Sequence, residues 1–364
     1  MSTVAFYIFG ISEFQDMLPM IIETSKRTKC WVCLFDCVYA KRQFENYESQ
    51  ELLEFVKRVF DVNNVEDFDL NFYGPSDEHV HTTDYAVHQP KIVVIQSLRH
   101  KYPTWYPVVD KAKLALLAWG SDSFQCLKQV SYHYNPQLVI LRNDHDKELY
   151  SRLNMPGTEV AFFGEIRKTA LAMNPVLLTA PDLSSISRRT CLISETWIPF
   201  GGASNIGGTS DEADCSVLEQ STANLEITAK LTDAIFEMLW KHNFYIVWKR
   251  REKGQPPKGK KHWQSPLEGT THMPDYVIDR DLNFPTTLIS IGSAVDLTLV
   301  INLSTAYYDL LSVNKNSFMF DAAKDHNDIL EELDDILTSL EPVRTHVDPA
   351  HDILTHVVDK VLSL

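Results

Sequence analysis

The run Leu297-Thr-Leu-Val-Ile301, followed by Asn-Leu-Ser304-Thr305 and then Ala-Tyr-Tyr-Asp309-Leu-Leu, constrains this chain more than any other part of it. An unbroken β-branched and leucine run of this kind reads as a strand buried on both faces, the habit of a parallel sheet covered by helices. Ser304 and Thr305 stand where a helix N-cap belongs, and Ser317-Phe-Met-Phe320 supplies the next buried strand. A helix start of this kind offers free N–H groups and a positive dipole end to a phosphate. Asp309, about one turn further on, is placed to accept from ribose hydroxyls. A capped crossover helix with a solvated aspartate satisfies the same pattern.

The rest of the chain keeps the strand–helix rhythm. Apolar runs at 4–9, 31–35, 91–96, 113–118, 137–141 and 159–163 alternate with helical or irregular stretches, 13–25 and 51–59 among the helical ones. Residues 173–189 contain Pro and several Ser with weak periodicity and are the natural linker. Beyond them, strands are expected at 190–196, 244–248, 286–290 and 297–301, a long amphipathic helix at 221–241, and two acidic helices at 328–340 and 349–364. The expected fold class is α/β, with two Rossmann-like doubly wound domains facing a cleft. Their expected bounds are 1–175 and 190–345, followed by a terminal helix in 346–364.

With 364 residues, 44% hydrophobic and 23% charged, the chain has the size and composition of a two-domain globular protein. Its net charge of -15 argues against general nucleic-acid binding, which rests on Lys and Arg neutralising phosphates. The opening Met-Ser-Thr-Val-Ala-Phe-Tyr-Ile-Phe-Gly has no basic leader and reads as a first strand, and no segment reaches the ~20 apolar residues of a membrane helix. A cytoplasmic setting is therefore expected, with the six cysteines as free thiols. Cys30 and Cys33 share a strand, where their spacing sends the thiols to opposite faces, so a zinc or redox pair is not expected.

Ligands of open α/β sheets sit outside the carboxyl ends of the strands, which directs attention to three segments. Gly201-Gly202, with Gly207-Gly208 a few residues on, form a loop whose backbone could approach a diphosphate or simply move at the surface. Residues 249–261 carry seven basic side chains and one acidic. Lys249 and Arg250 leave a buried strand and suit a donor phosphate, while the distal lysines suit solvent, a phosphorylated acceptor or an anionic membrane surface. The third segment is Asp77-Glu-His-Val-His81-Thr-Thr-Asp84-Tyr-Ala-Val-His88, which is read as a loop, together with Trp119-Gly-Ser-Asp122. A group transfer onto a hydroxyl needs a base, and His81 or Asp122 is the candidate. His79-x-His81 lacks a third placed ligand for a metal site.

Asp296 before the strand, Ser304-Thr305, Asp309 and Lys315 together resemble the donor-site motif in the C-terminal domain of GT-B-type transferases. The pattern looks most like the branch of CDP-glycerol glycerophosphotransferases and surface-polysaccharide glycosyltransferases. Phe244-Tyr-Ile-Val-Trp-Lys249 resembles the strand that ends in a Lys-x-His-Pro motif there. The resemblance implies a metal-independent glycosyltransferase needing no cofactor beyond its nucleotide-activated sugar, acting on a glycan or lipid-linked acceptor. It assigns phosphates to Ser304, Thr305 and Lys249 and the ribose to Asp309. The chain departs from the pattern in Asp309 for glutamate, Asn316 for proline, a missing His-Pro after Lys249, and Trp119 where the family has His before Gly. A nucleotide-sugar epimerase shares the two-sheet fold but normally has a glycine pair where Leu303-Ser304 stands. A non-catalytic nucleotide-sugar-binding or assembly protein fits the missing pairs.

Overall fold

The computed structural model describes residues 3–8, 11–35, 49–74, 76–96, 112–117, 136–141, 157–162, 183, 185–195, 198–199, 225–250, 263–278, 288–302, 306–311, 313–341 and 351–364, without the side chains of a few, Asp309 among them. It divides into two compact units, residues 1–177 with 347–364 and residues 178–346.

Unit 1 runs β1 (Val4–Ile8), α1 (Ile11–Ser25), β2 (Cys30–Phe35), α2 (Ser49–Val62), β3 (Phe68–Tyr73), α3 (Glu78–His88), β4 (Ile92–Ile95), β5 (Lys113–Leu117), β6 (Leu138–Leu141) and β7 (Glu159–Phe162). The strands form one parallel sheet in the order β3-β2-β1-β4-β5-β6-β7. Central strands such as Val4-Ala-Phe-Tyr-Ile8 and Ile92-Val-Val-Ile95 are buried throughout, as continuous apolar runs covered on both faces must be. The edge strand β3 is only half-buried and carries Asp69 and Asn71. Those polar residues break the apolar run, which is why this strand is not legible in the sequence. Residues 77–88, expected as a loop, are the helix α3, closed by Gln89 in the left-handed region at φ 45°.

Unit 2 contains β8 (Arg189–Ser194), β9 (Ile198–Pro199), α4 (Leu225–Lys241), β10 (Phe244–Lys249), β11 (Trp263–Gln264), β12 (Tyr276–Ile278), α5 (Leu288–Ala294), β13 (Leu297–Ile301), α6 (Ala306–Leu311), β14 (Ser317–Phe320) and α7 (His326–Ser339). Its parallel sheet has the order β12-β10-β8-β13-β14, and β9 pairs antiparallel with β11. Residues 286–290, expected as a strand, belong partly to α5. Helical spacing is what brings Leu288, Ile291 and Val295 into one cluster with Leu310 and Val300. The sheet edge is taken instead by β12, whose three residues are too few to stand out as an apolar run.

The last helix, α8 (His351–Ser363), belongs to unit 1 and packs against α1 and β7. It buries Leu354, Val357, Val358 and Val361 completely. Asp359 pairs with Arg27, in the turn that follows α1, and Lys360 with Glu159 of β7. With the sheet on one side and α8 on the other, α1 hides Phe14, Met17, Leu18, Met20, Ile21 and Ile22 together.

Candidate functional site

Both sheets are wound the same way. In unit 1 the chain starts at β1, moves outward to β2 and β3, then returns across β1 to lay down β4. In unit 2 it starts at β8, moves to β10 and β12, then returns to lay down β13. Neighbouring connections therefore diverge between β1 and β4 and between β8 and β13, and such switch points leave a crevice at the carboxyl ends of the strands.

In unit 2, β8 ends at Ser194 in register with Lys249 of β10 and Val300 of β13. The next residue, Glu195, is buried; its backbone N–H donates to Lys249 O at 3.0 Å and its carboxylate accepts from Ser265 Oγ. Lys249 directs Nζ to Arg250 O at 3.3 Å, and Arg250 is exposed beyond the strand end. After β13 comes Asn302, buried, with φ 78°, its Nδ2 donating to Thr228 Oγ1 in the first turn of α4. The backbone of Asp309 lies on α6. Ser304, Thr305, Gly201, Gly202 and the distal basic segment fall outside the described residues. Of the expected donor-binding residues, the structure thus places Lys249 and Arg250 at the carboxyl end of β10 and the backbone of Asp309 on the helix that follows β13.

Asp296 and Lys315 lie at the other end. Asp296 precedes β13 and its Oδ2 accepts from the Thr190 N–H at 2.8 Å, while Lys315 precedes β14. A five-residue strand spans roughly 17 Å, so these two positions of the motif serve the amino edge of the sheet and not the ligand edge.

In unit 1, the expected base His81 is a core residue instead. It is 1% exposed, with Tyr7, Phe35 and Tyr73 around it and Trp31 stacked at 5.5 Å. Its Nε2 lies 3.0 Å from Tyr7 Oη. Burial lowers its pKa to about 4 against the opposing pull of Asp84, and a base has to reach its substrate with a pKa near the working pH. Asp122, the other expected base, lies outside the described residues. Burial likewise pushes the Cys30 thiol up to about 12 and holds the Cys33 thiol well above its ordinary value, which leaves neither as a thiolate ligand. Among the described residues no group of three or more His, Cys, Asp or Glu is placed to hold a metal ion, and no helix is long and apolar enough to cross a membrane.

Polar groups that the sequence did not single out stand buried at or beside the carboxyl ends of the strands flanking these switch points. They are Glu195 after β8, Asn302 after β13, and, in unit 1, Gln96 after β4 with the buried carboxylates of Glu13 and Asp16 on α1. A signal existed for three of them. Cys-Leu-Ile-Ser-Glu195, Leu-Val-Ile-Asn302 and Val-Val-Ile-Gln96 are apolar runs ended by a group that can hydrogen-bond.

No family model matches the chain, and no curated protein matches its sequence. Solved structures do resemble it. UDP-GlcNAc 2-epimerase from Methanocaldococcus jannaschii aligns over 100% of both chains at a TM-score of 0.61 and 10% identity. The Neisseria meningitidis UDP-GlcNAc 2-epimerase bound to UDP-GlcNAc does so over 100% of both chains at 0.61 and 12%. UDP-N-acetylglucosamine 2-epimerase from Rickettsia bellii aligns over 100% of this chain and 96% of its own at 0.59 and 12%. The fold is the GT-B-like one, two parallel-sheet α/β domains.

Proposed function

We propose that this protein is a nucleotide-sugar enzyme and that its reaction is the epimerisation of a UDP-linked sugar. The supporting observation is the likeness to 2-epimerases over the whole length of both partners, for which a chain with two switch-point crevices has the right parts. In this reading unit 2 takes the nucleotide: Lys249 and Arg250, with Ser304, Thr305 and the Gly201-Gly202 loop, meet the diphosphate, and Asp309 meets the ribose. Epimerisation removes a proton from one carbon and returns it to the other face, so it needs a base and an acid. Among the described residues, the buried carboxylates near the carboxyl ends of the two sheets are Glu13, Asp16 and Glu195.

The test is incubation with UDP-GlcNAc in deuterium oxide. Deuterium entering the C2 position, with product of inverted configuration there, is the expected result. A second reading, transfer of a sugar to a glycan or lipid-linked acceptor, is favoured by the Ser304-Thr305-x-x-x-Asp309 pattern, and glycerophosphate transfer from CDP-glycerol is its narrower form. Nucleotide binding without C2 exchange would turn the assignment to that second reading or to a non-catalytic binding protein. A thermal-shift panel measures binding independently of turnover, since ligand at 100 times its Kd adds about 2.7 kcal/mol of stability.

A further inference from the structure

The two units carry the same device. In each, the strand that returns across the switch point ends in a carboxamide: Gln96 after β4 and Asn302 after β13. Both are more than nine-tenths buried, at 2% and 7% exposure. Each gives its amide nitrogen to the helix that follows the first strand of its own sheet. Gln96 Nε2 donates to Asp16 Oδ2 of α1 at 2.5 Å, and Asn302 Nδ2 donates to Thr228 Oγ1 of α4 at 3.2 Å. Each then leaves its amide oxygen, Gln96 Oε1 or Asn302 Oδ1, buried without a hydrogen-bond partner among the described residues.

Buried polar atoms are paired in the great majority of cases, and an exception calls for a missing partner. Here the exception recurs at topologically equivalent places in two sheets, each at the carboxyl end where a ligand belongs. The unpartnered atoms of Thr24, Tyr85 and Trp248 sit on helices and on a strand flanking neither switch point. Asn302 carries a second mark, since its φ of 78° is strained for most side chains and such strain gathers at ligand sites. At Gln96 the orientation of the amide is fixed as well, because a carboxylate accepts and does not donate.

We propose that Gln96 and Asn302 are ligand-reading residues, each accepting a hydrogen bond from an O–H or N–H of a bound nucleotide sugar, with Asp16 and Thr228 as the positioning residues that hold the amides. An amide oxygen repels a phosphate oxygen, itself an acceptor, so the groups read are hydroxyls of ribose or sugar, or N–H groups of the base or of an acylamino substituent. The inference rests on the nucleotide-sugar reading above.

The experiment is calorimetric titration of UDP and UDP-GlcNAc into wild type, Asn302→Gly and Gln96→Met, with thermal unfolding of each unliganded protein alongside. Glycine adopts φ 78° freely, so Asn302→Gly keeps the backbone while removing the oxygen. The expected result is a loss of about tenfold or more in affinity for at least one of the two ligands in each variant, with the unliganded transition retained. Unchanged affinities in both variants overturn the inference and leave the function standing. A lowered transition with unchanged affinity does the same, by making the amides structural ties. Failure of wild type to bind either ligand overturns the nucleotide-sugar reading, and this inference falls with it. Where Asn302→Gly does not fold, Thr228→Val decides by the same readout, since it keeps the carboxamide but removes the tie that aims its oxygen; Asp16→Asn does so for Gln96.

Discussion

Protonating His81 would put a charge among Tyr7, Trp31, Phe35 and Tyr73, at a position buried from solvent. The pKa of about 4 means that the folded state resists this proton while an unfolded chain takes it at about 6.5. Stability from this residue is therefore complete above pH 6.5 and is lost as the pH falls from there toward 4, by about 3 kcal/mol at most. Chemical denaturation of wild type and His81→Phe from pH 7 to 4 measures it. The gap between the two proteins should change across that window, and a constant gap would deny the depressed pKa. The same residue shows where the sequence stops being legible. A histidine two positions from another, among Asp77, Glu78 and Asp84, has the composition of a reactive loop, and only the ends of β1, β2 and β3 closing over α3 make it core. Gln96 and Asn302 are the converse, ordinary amides whose significance lies in which atoms their neighbours leave unpaired.

Among elements, α5 and α6 approach closely at Gly292. A Cβ added to Gly292 would come within 2.5 Å of Leu310 Cδ2, and Leu310 is fully buried and cannot swing aside. Gly292→Ala should lower stability by about 1–3 kcal/mol through overpacking, and would shift α6 with the Asp309 it carries. Urea unfolding reads the first effect, and nucleotide affinity reads the second; an alanine variant as stable as wild type would mean that the helices part easily. This contact also explains why 286–290 misleads as a sequence. Thr-Thr-Leu-Ile-Ser is short and β-branched and so favours a strand, whereas the tertiary packing of Ile291 and Gly292 against Leu310 and Val313 needs a helix. By contrast 297–301 is unambiguous, because a run buried on both faces has no second solution at that length.

For the whole molecule, the doubly wound α/β class was legible because each sheet announces itself through its central strands, while edge strand β3 stayed hidden because Asp69 and Asn71 interrupt it and β12 because it is only three residues long. Helix α8 ties the far end of the chain into unit 1, and removing residues 347–364 would uncover the apolar face of α1 and lose the contributions of Leu354, Val357, Val358 and Val361. At ~1.5–3 kcal/mol for each such side chain, unit 1 should melt far earlier or not fold, while unit 2 keeps its own transition. Scanning calorimetry of the truncated chain would show this, and an unaltered unit 1 transition would refute it. The placement of α8 also bears on how the chain is made. On the ribosome, the part synthesised first is the part finished last, since its sheet stands complete while α1 waits bare for a helix that emerges only after all of unit 2. At ~5–20 residues per second that interval is roughly 10–40 s, during which a greasy surface is open to chaperones and to other nascent chains.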